Sequence, residues 1–498
     1  MREKRLVWNT ITSLANQIVT VVCAFILPRL ILTTYGSDVN GLVQSIQQFM
    51  AIIAFMDMGV GAVVQSSLYK PLASCDADGI SKIMVSANRF FRKLASIIGI
   101  YILILSVSYS YITNSSFSTK YTCTLVLALG ASYFFQYYFG LKNQLLLIAD
   151  QKAYIHNLLS IFVLILNNIV GCILILTGYS IQLVKITTAF ILLIRPILME
   201  LYVRRNYQIN WNIQYTEEPI KQKWNGIAQH FATTVLISTD NIVLTLFSTL
   251  KNVSIYSVYH LVLNGMNNLI LSFSQGASAY FGNLLANQEE DRLQKMFNAY
   301  ECFYHCLIVF LYSCVMSLIM PFVSIYTSGV SDTEYIVPSF AYLICTANLL
   351  YCIRIPYNSL VLSAGHFKET QASAVIEMIL NLFISIITVI KYGLLGVALG
   401  TLIAMLYRSV YLAWYSSKKI IKRDSVKWVK HLCVDAICML IIVRTSLNME
   451  LASLNYIAWL NMAVKVSAVS IAVTFIINKT LFKTDMSFKA IKEIIRKR

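Results

Sequence analysis

Three acids and four arginines fall inside long apolar stretches of this 498-residue chain. The acids are Asp57, Asp240 and Glu377, and the arginines are Arg29, Arg195, Arg354 and Arg408. An ionisable side chain at the bilayer centre costs roughly 2.5–3.5 kcal/mol on insertion scales, so such groups face a wet cavity or an opposite charge. Asp57 is too far from either end of its segment for a short side chain to reach headgroups; it faces a cavity, or bonds backbone near Gly59 and Gly61. Arg354 stands two residues before Pro356 and Arg195 directly before Pro196, where a proline kink can open the backbone. Both are also within a turn or two of a basic boundary, where snorkelling would explain them equally well. Arg408 is deeper, and Arg29 lies near the turn at Tyr35, as cavity mouth or snorkeller.

Asp240 and Glu377 can each pair with Arg354 or Arg408. A buried ion pair costs desolvation and is weak evidence for stability, so a switch or ion-coupling role stays open. Gln44, with Gln47 and Gln48, and Asn264, Asn267, Asn268 and Gln275 form polar faces that line a cavity or join helices by hydrogen bonds. The candidate substrate contacts are therefore Arg29, Arg195, Arg354, Arg408, Gln44, Asn264 and Asn268, and the candidate ion-coupling or gating residues are Asp57, Asp240 and Glu377. His260 reads as an interhelical donor, and Lys465 reaches Asp435 only if the last two helices pack.

Other chemistries have no sequence support. The 11 cysteines lie almost all in apolar runs, without paired ligand spacing, which gives neither a metal site nor a disulfide framework. No phosphate-cradling G-x-x-x-x-G-K-[ST] loop, H-E-x-x-H or G-x-S-x-G motif appears in a credible context, so no catalytic residues and no cofactor are expected. The net charge of +17 is spread among short loops rather than gathered with base-stacking aromatics, which argues against nucleic acid.

At 57% hydrophobic, 13% charged and a mean hydropathy of +0.66, the composition is that of a polytopic membrane protein. A spanning helix needs about 20 mostly apolar residues. Fourteen such windows are expected, at about 7–33, 39–68, 94–113, 121–141, 153–177, 180–203, 223–248, 254–285, 299–322, 334–360, 370–390, 393–415, 429–447 and 454–478. Continuous apolar runs favour helices over the alternating strands of a barrel. Lys and Arg crowd the loops on one side, while only Lys120, Lys251 and Lys391 fall on the other, which places both termini in the cytoplasm.

An internal repeat shows at a separation of about 213–215 residues. Asp78 to Lys82 is answered by Asp291 to Lys295, Phe90-Phe91 by Phe303-Tyr304, and the stretch ending at Asn157 by the one ending at Ala372. The expected organisation is a six-helix lobe over 1–210, a second over 211–420, two further helices over 421–480 and a basic tail over 481–498.

Pro28-Arg29 with Tyr35-Gly36, Asp57-Met58-Gly59, and Leu147 to Lys152 resemble the polysaccharide and lipid-linked oligosaccharide flippases of the multidrug/oligosaccharidyl-lipid/polysaccharide exporter superfamily, over roughly the first 415 residues. That resemblance implies an all-α fold with two six-helix lobes facing a central cavity, alternating access, and a bacterial or archaeal inner membrane. The substrate it implies is a lipid-linked glycan, with a polysaccharide polymerase and chain-length machinery as possible partners. The dense arginines of the lipid II branch are lacking, which points towards capsule or O-antigen repeat units. An ion-coupled drug or metabolite antiporter is the alternative, and a membrane polymerase is disfavoured by the short outer loops.

The topology has a direct test. Single cysteines near Lys120, Lys251 and Lys391, in a cysteine-free background, are expected to label from outside intact cells, and those near Arg205 and Lys419 to stay protected; labelling of the latter pair overturns the orientation.

Overall fold

Why the chain folds almost wholly into helices follows from its solvent: hydrocarbon supplies no partners for backbone N–H and C=O groups, and a helix satisfies them within one segment. The computed structural model describes residues 2–53, 55–113, 117–215, 238–424, 426–449, 451 and 453–482. The helices are α1 (Arg2–Ile53), α2 (Phe55–Ala73), α3 (Ala77–Ile112), α4 (Thr119–Phe135), α5 (Leu141–Ala149), α6 (Ala153–Leu176), α7 (Ile181–Asn206), α8 (238–247), α9 (Leu250–Ala286), α10 (Glu290–Tyr326), α11 (Pro338–Ile353), α12 (Ile355–Ser363), α13 (Phe367–Tyr392), α14 (Leu394–Tyr415), α15 (Val426–Ser446) and α16 (Tyr456–Leu481). A π-helical turn, Gln136–Gly140, joins α4 to α5, and another, Ser416–Ile421, follows α14.

Ten helical stretches among the described residues are long and apolar enough to cross a membrane. Their outer faces confirm the solvent. On α3, Ile100, Leu103, Ile104 and Val107 recur at helical spacing and are at least 60% exposed, while Ile98, Ile102, Leu105 and Tyr109 on the opposite face are at most 5% exposed. A stripe that apolar, facing outward, belongs against lipid. The protein is an all-α, multi-pass membrane protein. The basic tail and the linker residues 216–237 lie outside the described residues.

By contacts the chain divides into two compact units, Met1–Leu246 and Phe247–Arg498. In the first, Ser45 accepts a hydrogen bond from Tyr109 of α3 at 2.7 Å and another from Thr245 of α8 at 2.8 Å, tying α8 to the first helices. In the second, α15 and α16 pack on α10, and Trp459 donates to the Leu318 carbonyl at 3.2 Å.

The repeat recurs in the backbone. Cys75 (φ 53°) before α3 and Gln288 (φ 56°) before α10 are left-handed residues 213 positions apart. Gln151 (φ 56°) before α6 and Gly365 (φ 73°) before α13 are 214 apart. The helices behind the first pair, α3 and α10, run 36 and 37 residues. Both are longer than the expected spans because their charged first turns continue the helix ahead of the apolar run.

The first two expected spans lie in α1 and α2, with α1 broken at Gly36 (φ 85°, ψ 177°). That conformation is almost exclusive to glycine. Beside it, Tyr35 donates from its hydroxyl to the Tyr179 carbonyl at 2.5 Å, anchoring the break to the α6–α7 turn. Gly36→Ala is expected to cost on the order of 1–3 kcal/mol and to lower the Tm of the purified protein. Gly265→Ala, where an added Cβ meets nothing within 4 Å, is expected to leave Tm unchanged or raised; equal Tm values would mean that the break relaxes freely.

Candidate functional site

The second unit brings Arg354, Glu377 and Arg408 into one cluster. The α13–α14 hairpin turns at Gly393, and Glu377 and Arg408 stand 16 and 15 residues from it on antiparallel helices. At 1.5 Å per residue both lie about 22–24 Å from the turn, so they meet at one level. Close approach makes the meeting possible: a Cβ at Gly400 would lie 2.1 Å from the Ser385 hydroxyl, and one at Gly396 2.4 Å from the Thr388 backbone. Thr388 fastens the hairpin by donating to the Gly396 carbonyl at 2.8 Å.

Arg354 comes from the interruption between α11 and α12, where Pro356 can supply no backbone donor. Ser409 donates to the Leu350 carbonyl at 2.7 Å, fixing α14 against this break. From there an Arg354 N–H donates to one oxygen of Glu377, and Arg408 Nε lies 3.6 Å from the other. Arg408 also donates to the Thr370 carbonyl at 3.0 Å and to the Ser373 hydroxyl. The Arg354 guanidinium lies over the Tyr351 ring, 4.6 Å from its centroid. Side-chain exposure is 12% for Arg354, 7% for Arg408 and 4% for Glu377, so the cluster is desolvated and Arg354 is its most accessible member. Two guanidiniums share one carboxylate, leaving one positive charge over.

Other expected residues belong to the first unit or to α9. Arg195 donates to Gln136 Oε1 at 3.1 Å, at the start of the first π turn, where Gly140 packs against Pro196. Arg29 and Gln44 are half-buried in α1, Asp240 is buried in α8, and Asn264 and Asn268 are exposed on α9. Of that polar face Asn267 is the one buried: it donates to Asn348 at 2.8 Å and accepts from Tyr312 at 2.5 Å, which joins helices. The side chains of Asp57 and Gln275 lie outside the described residues. His260 stacks on Tyr256, with centroids 5.2 Å apart.

A second buried cluster escaped the sequence reading. Arg423 donates to both oxygens of Glu301, one at 2.6 Å, and Tyr357 donates to Glu301 at 2.5 Å. Next to it His305 Nδ1 is 2.5 Å from Asp435 Oδ2, and the His305 ring stacks on His431 at 4.7 Å. Asp435 thus meets α10 rather than Lys465, which is exposed on α16. In sequence Arg423 stands among the basic residues of one loop, yet its side chain is 4% exposed. The available signal was the pair of acid/histidine spacings, Glu301 with His305 and His431 with Asp435, each placing both groups on one helix face.

The solved structures similar in fold are transporters. One, the lipid II flippase MurJ in an inward closed conformation, superposes with a TM-score of 0.72 at 16% identity, covering 96% of this chain and 100% of that one. An inward-facing MATE-family multidrug resistance transporter gives 0.64 at 13% identity, covering 82% of this chain and 98% of that one. An outward-facing structure of the same kind gives 0.56 at 14% identity, covering 84% and 96%. No family model and no curated protein matches the sequence. The chain has the fold these transporters share.

Glu377 is the electrostatic centre of the cluster. Glu377→Gln is expected to destabilise the protein by about 3–5 kcal/mol because it leaves two buried guanidiniums without a counter-charge. Adding Arg354→Gln is expected to recover part of that loss, with a coupling of roughly 1–3 kcal/mol read from denaturation in detergent; strict additivity would mean that the pair does not interact.

Proposed function

We propose that this protein is a flippase that moves a polyprenyl-diphosphate-linked oligosaccharide repeat unit across a bacterial or archaeal cell membrane by alternating access, without an enzymatic step of its own. The observation that carries the reading is the Arg354–Glu377–Arg408 cluster. A diphosphate needs fixed positive partners, and arginine offers a planar fork for two oxygens. The substrate diphosphate displaces Glu377 from Arg354, while Arg408, held by Thr370 and Ser373, positions the carboxylate that is displaced. Exchange of one anion for another gives the difference in affinity between two states that any ligand-driven transition requires.

The reach of the structural similarity supports the same reading. A match over 96% of 498 residues leaves about 20 unmatched, fewer than the 26 of α16 alone, so the likeness to the flippase extends into α15 and α16. In this reading the two repeats form six-helix lobes and α15 and α16 are appended to the second.

In proteoliposomes carrying a fluorescent lipid-linked oligosaccharide, Arg354→Ala is expected to reduce translocation at least tenfold and Arg354→Lys to retain part of it, at equal amounts of folded protein. Arg408→Ala is expected to be nearly inactive and Arg408→Lys partly active. If both alanine variants translocate normally while cation-driven efflux of small molecules is lost in Asp57→Asn, the antiporter reading replaces this one.

A further inference from the structure

The first unit contains a cavity of about 330 Å³, lined by Val85, Asn88, Arg89, Arg92, Lys142, Glu200, Arg204 and Trp211. We propose that it is a second phosphate site, distinct from the arginine cluster of the other unit, that takes a diphosphate or two neighbouring phosphates at the basic end of the helices.

The site is built rather than incidental. Lys142, on α5, is buried at 6% exposure, yet its ammonium is held in place by three partners. It lies 3.3 Å from Glu200 Oε2, donates to Asn88 Oδ1 at 3.2 Å, and sits 4.6 Å from the centre of the Trp211 ring. Glu200 is fully engaged, accepting from Asn143 at 2.7 Å and from Arg204 Nε at 2.9 Å. The wall that carries Trp211 is fastened down: the Asn210 N–H donates to the Ser81 hydroxyl at 3.0 Å, and Tyr207 donates to Asp150 at 2.5 Å.

Charge balance points to the ligand. Arg89, Arg92, Lys142 and Arg204 line the cavity against the single carboxylate of Glu200, an excess of three positive charges. Glu200 serves Lys142 and Arg204. Arg89 and Arg92, one turn apart on α3, have no carboxylate partner among the described residues; aromatic rings brace them instead. Arg89 lies 5.2 Å over Tyr215 and donates to its hydroxyl at 3.4 Å, and Arg92 lies 4.9 Å over Tyr138. Guanidiniums oriented this way present their N–H forks to a multivalent oxyanion, and converging like charges are stabilised when one binds. The volume is at the lower end of ligand sites and exceeds what one phosphate fills, which matches a diphosphate or a headgroup with two phosphates. Basic pockets between membrane helices bind such headgroups, and a soluble diphosphate offers the same chemistry.

The purified full-length protein, in zwitterionic detergent, is titrated calorimetrically with inorganic pyrophosphate, and separately incubated with cardiolipin and weighed by native mass spectrometry. Saturable binding of either probe is expected, weakening with salt. The exposed double substitution Arg89→Gln, Arg92→Gln is expected to weaken it at least tenfold, and each single substitution by less. Lys93→Gln, a neighbouring exposed charge outside the cavity lining, is expected to change nothing. Pyrophosphate binding with no retained cardiolipin assigns a soluble diphosphate, and the reverse assigns a lipid headgroup. Absence of saturable binding by both probes, or binding that the Arg89 and Arg92 substitutions leave intact, overturns the proposal.

Discussion

Hydrocarbon does not hydrogen-bond, and the buried ion pairs of this protein answer that constraint. Four carboxylates among the described residues are met by nitrogen donors from helices far away in sequence. Glu377 draws Arg354 and Arg408 together, Glu301 holds Arg423 and Tyr357, Asp435 holds His305, and Glu200 holds Lys142 and Asn143. Replacing such a pair by apolar residues is often neutral, whereas removing one member strands the other. The pairs therefore specify which helices meet and at which level more than they add to stability.

Between the two repeats the backbone recurs and the charge does not. Left-handed turns recur at Cys75 and Gln288 and at Gln151 and Gly365, and α3 and α10 match in length. Among the described residues the ionic clusters do not recur. The first repeat gathers its surplus of positive charge in an open cavity around Lys142, while the second buries it beside Glu377. A repeated frame fixes how helices turn and pack through backbone geometry. Side-chain charge can then differ between the repeats without disturbing the fold.

The cluster at Glu377 depends on packing at a distance. Gly396 and Gly400 let α13 and α14 approach so closely that a methyl group at either would collide with the opposite helix. Only then do residues 15 and 16 positions from the hairpin turn come level. Pro356 contributes from a third helix by ending α11 where Arg354 can turn inward. The position of a single desolvated carboxylate thus rests on two glycines and a proline.

The amino-acid sequence by itself determined the solvent, the helical class, most spans and the repeat, because each is written in local periodicity and composition. It also marked Arg354, Arg408 and Glu377 as groups that need partners, since depth in an apolar run is visible without a fold. Tertiary structure alone decided which partner each group took. Arg423 carries the same sequence signal as the basic residues around it, yet the turn after α14 buries it against Glu301. Lys142 reads as one more basic residue at a helix end, and only the convergence of α3, α5 and α7 encloses it beside Arg89 and Arg92. Burial and ion pairing are properties of neighbours, and neighbours separated by 57 or 122 residues leave no trace in local spacing.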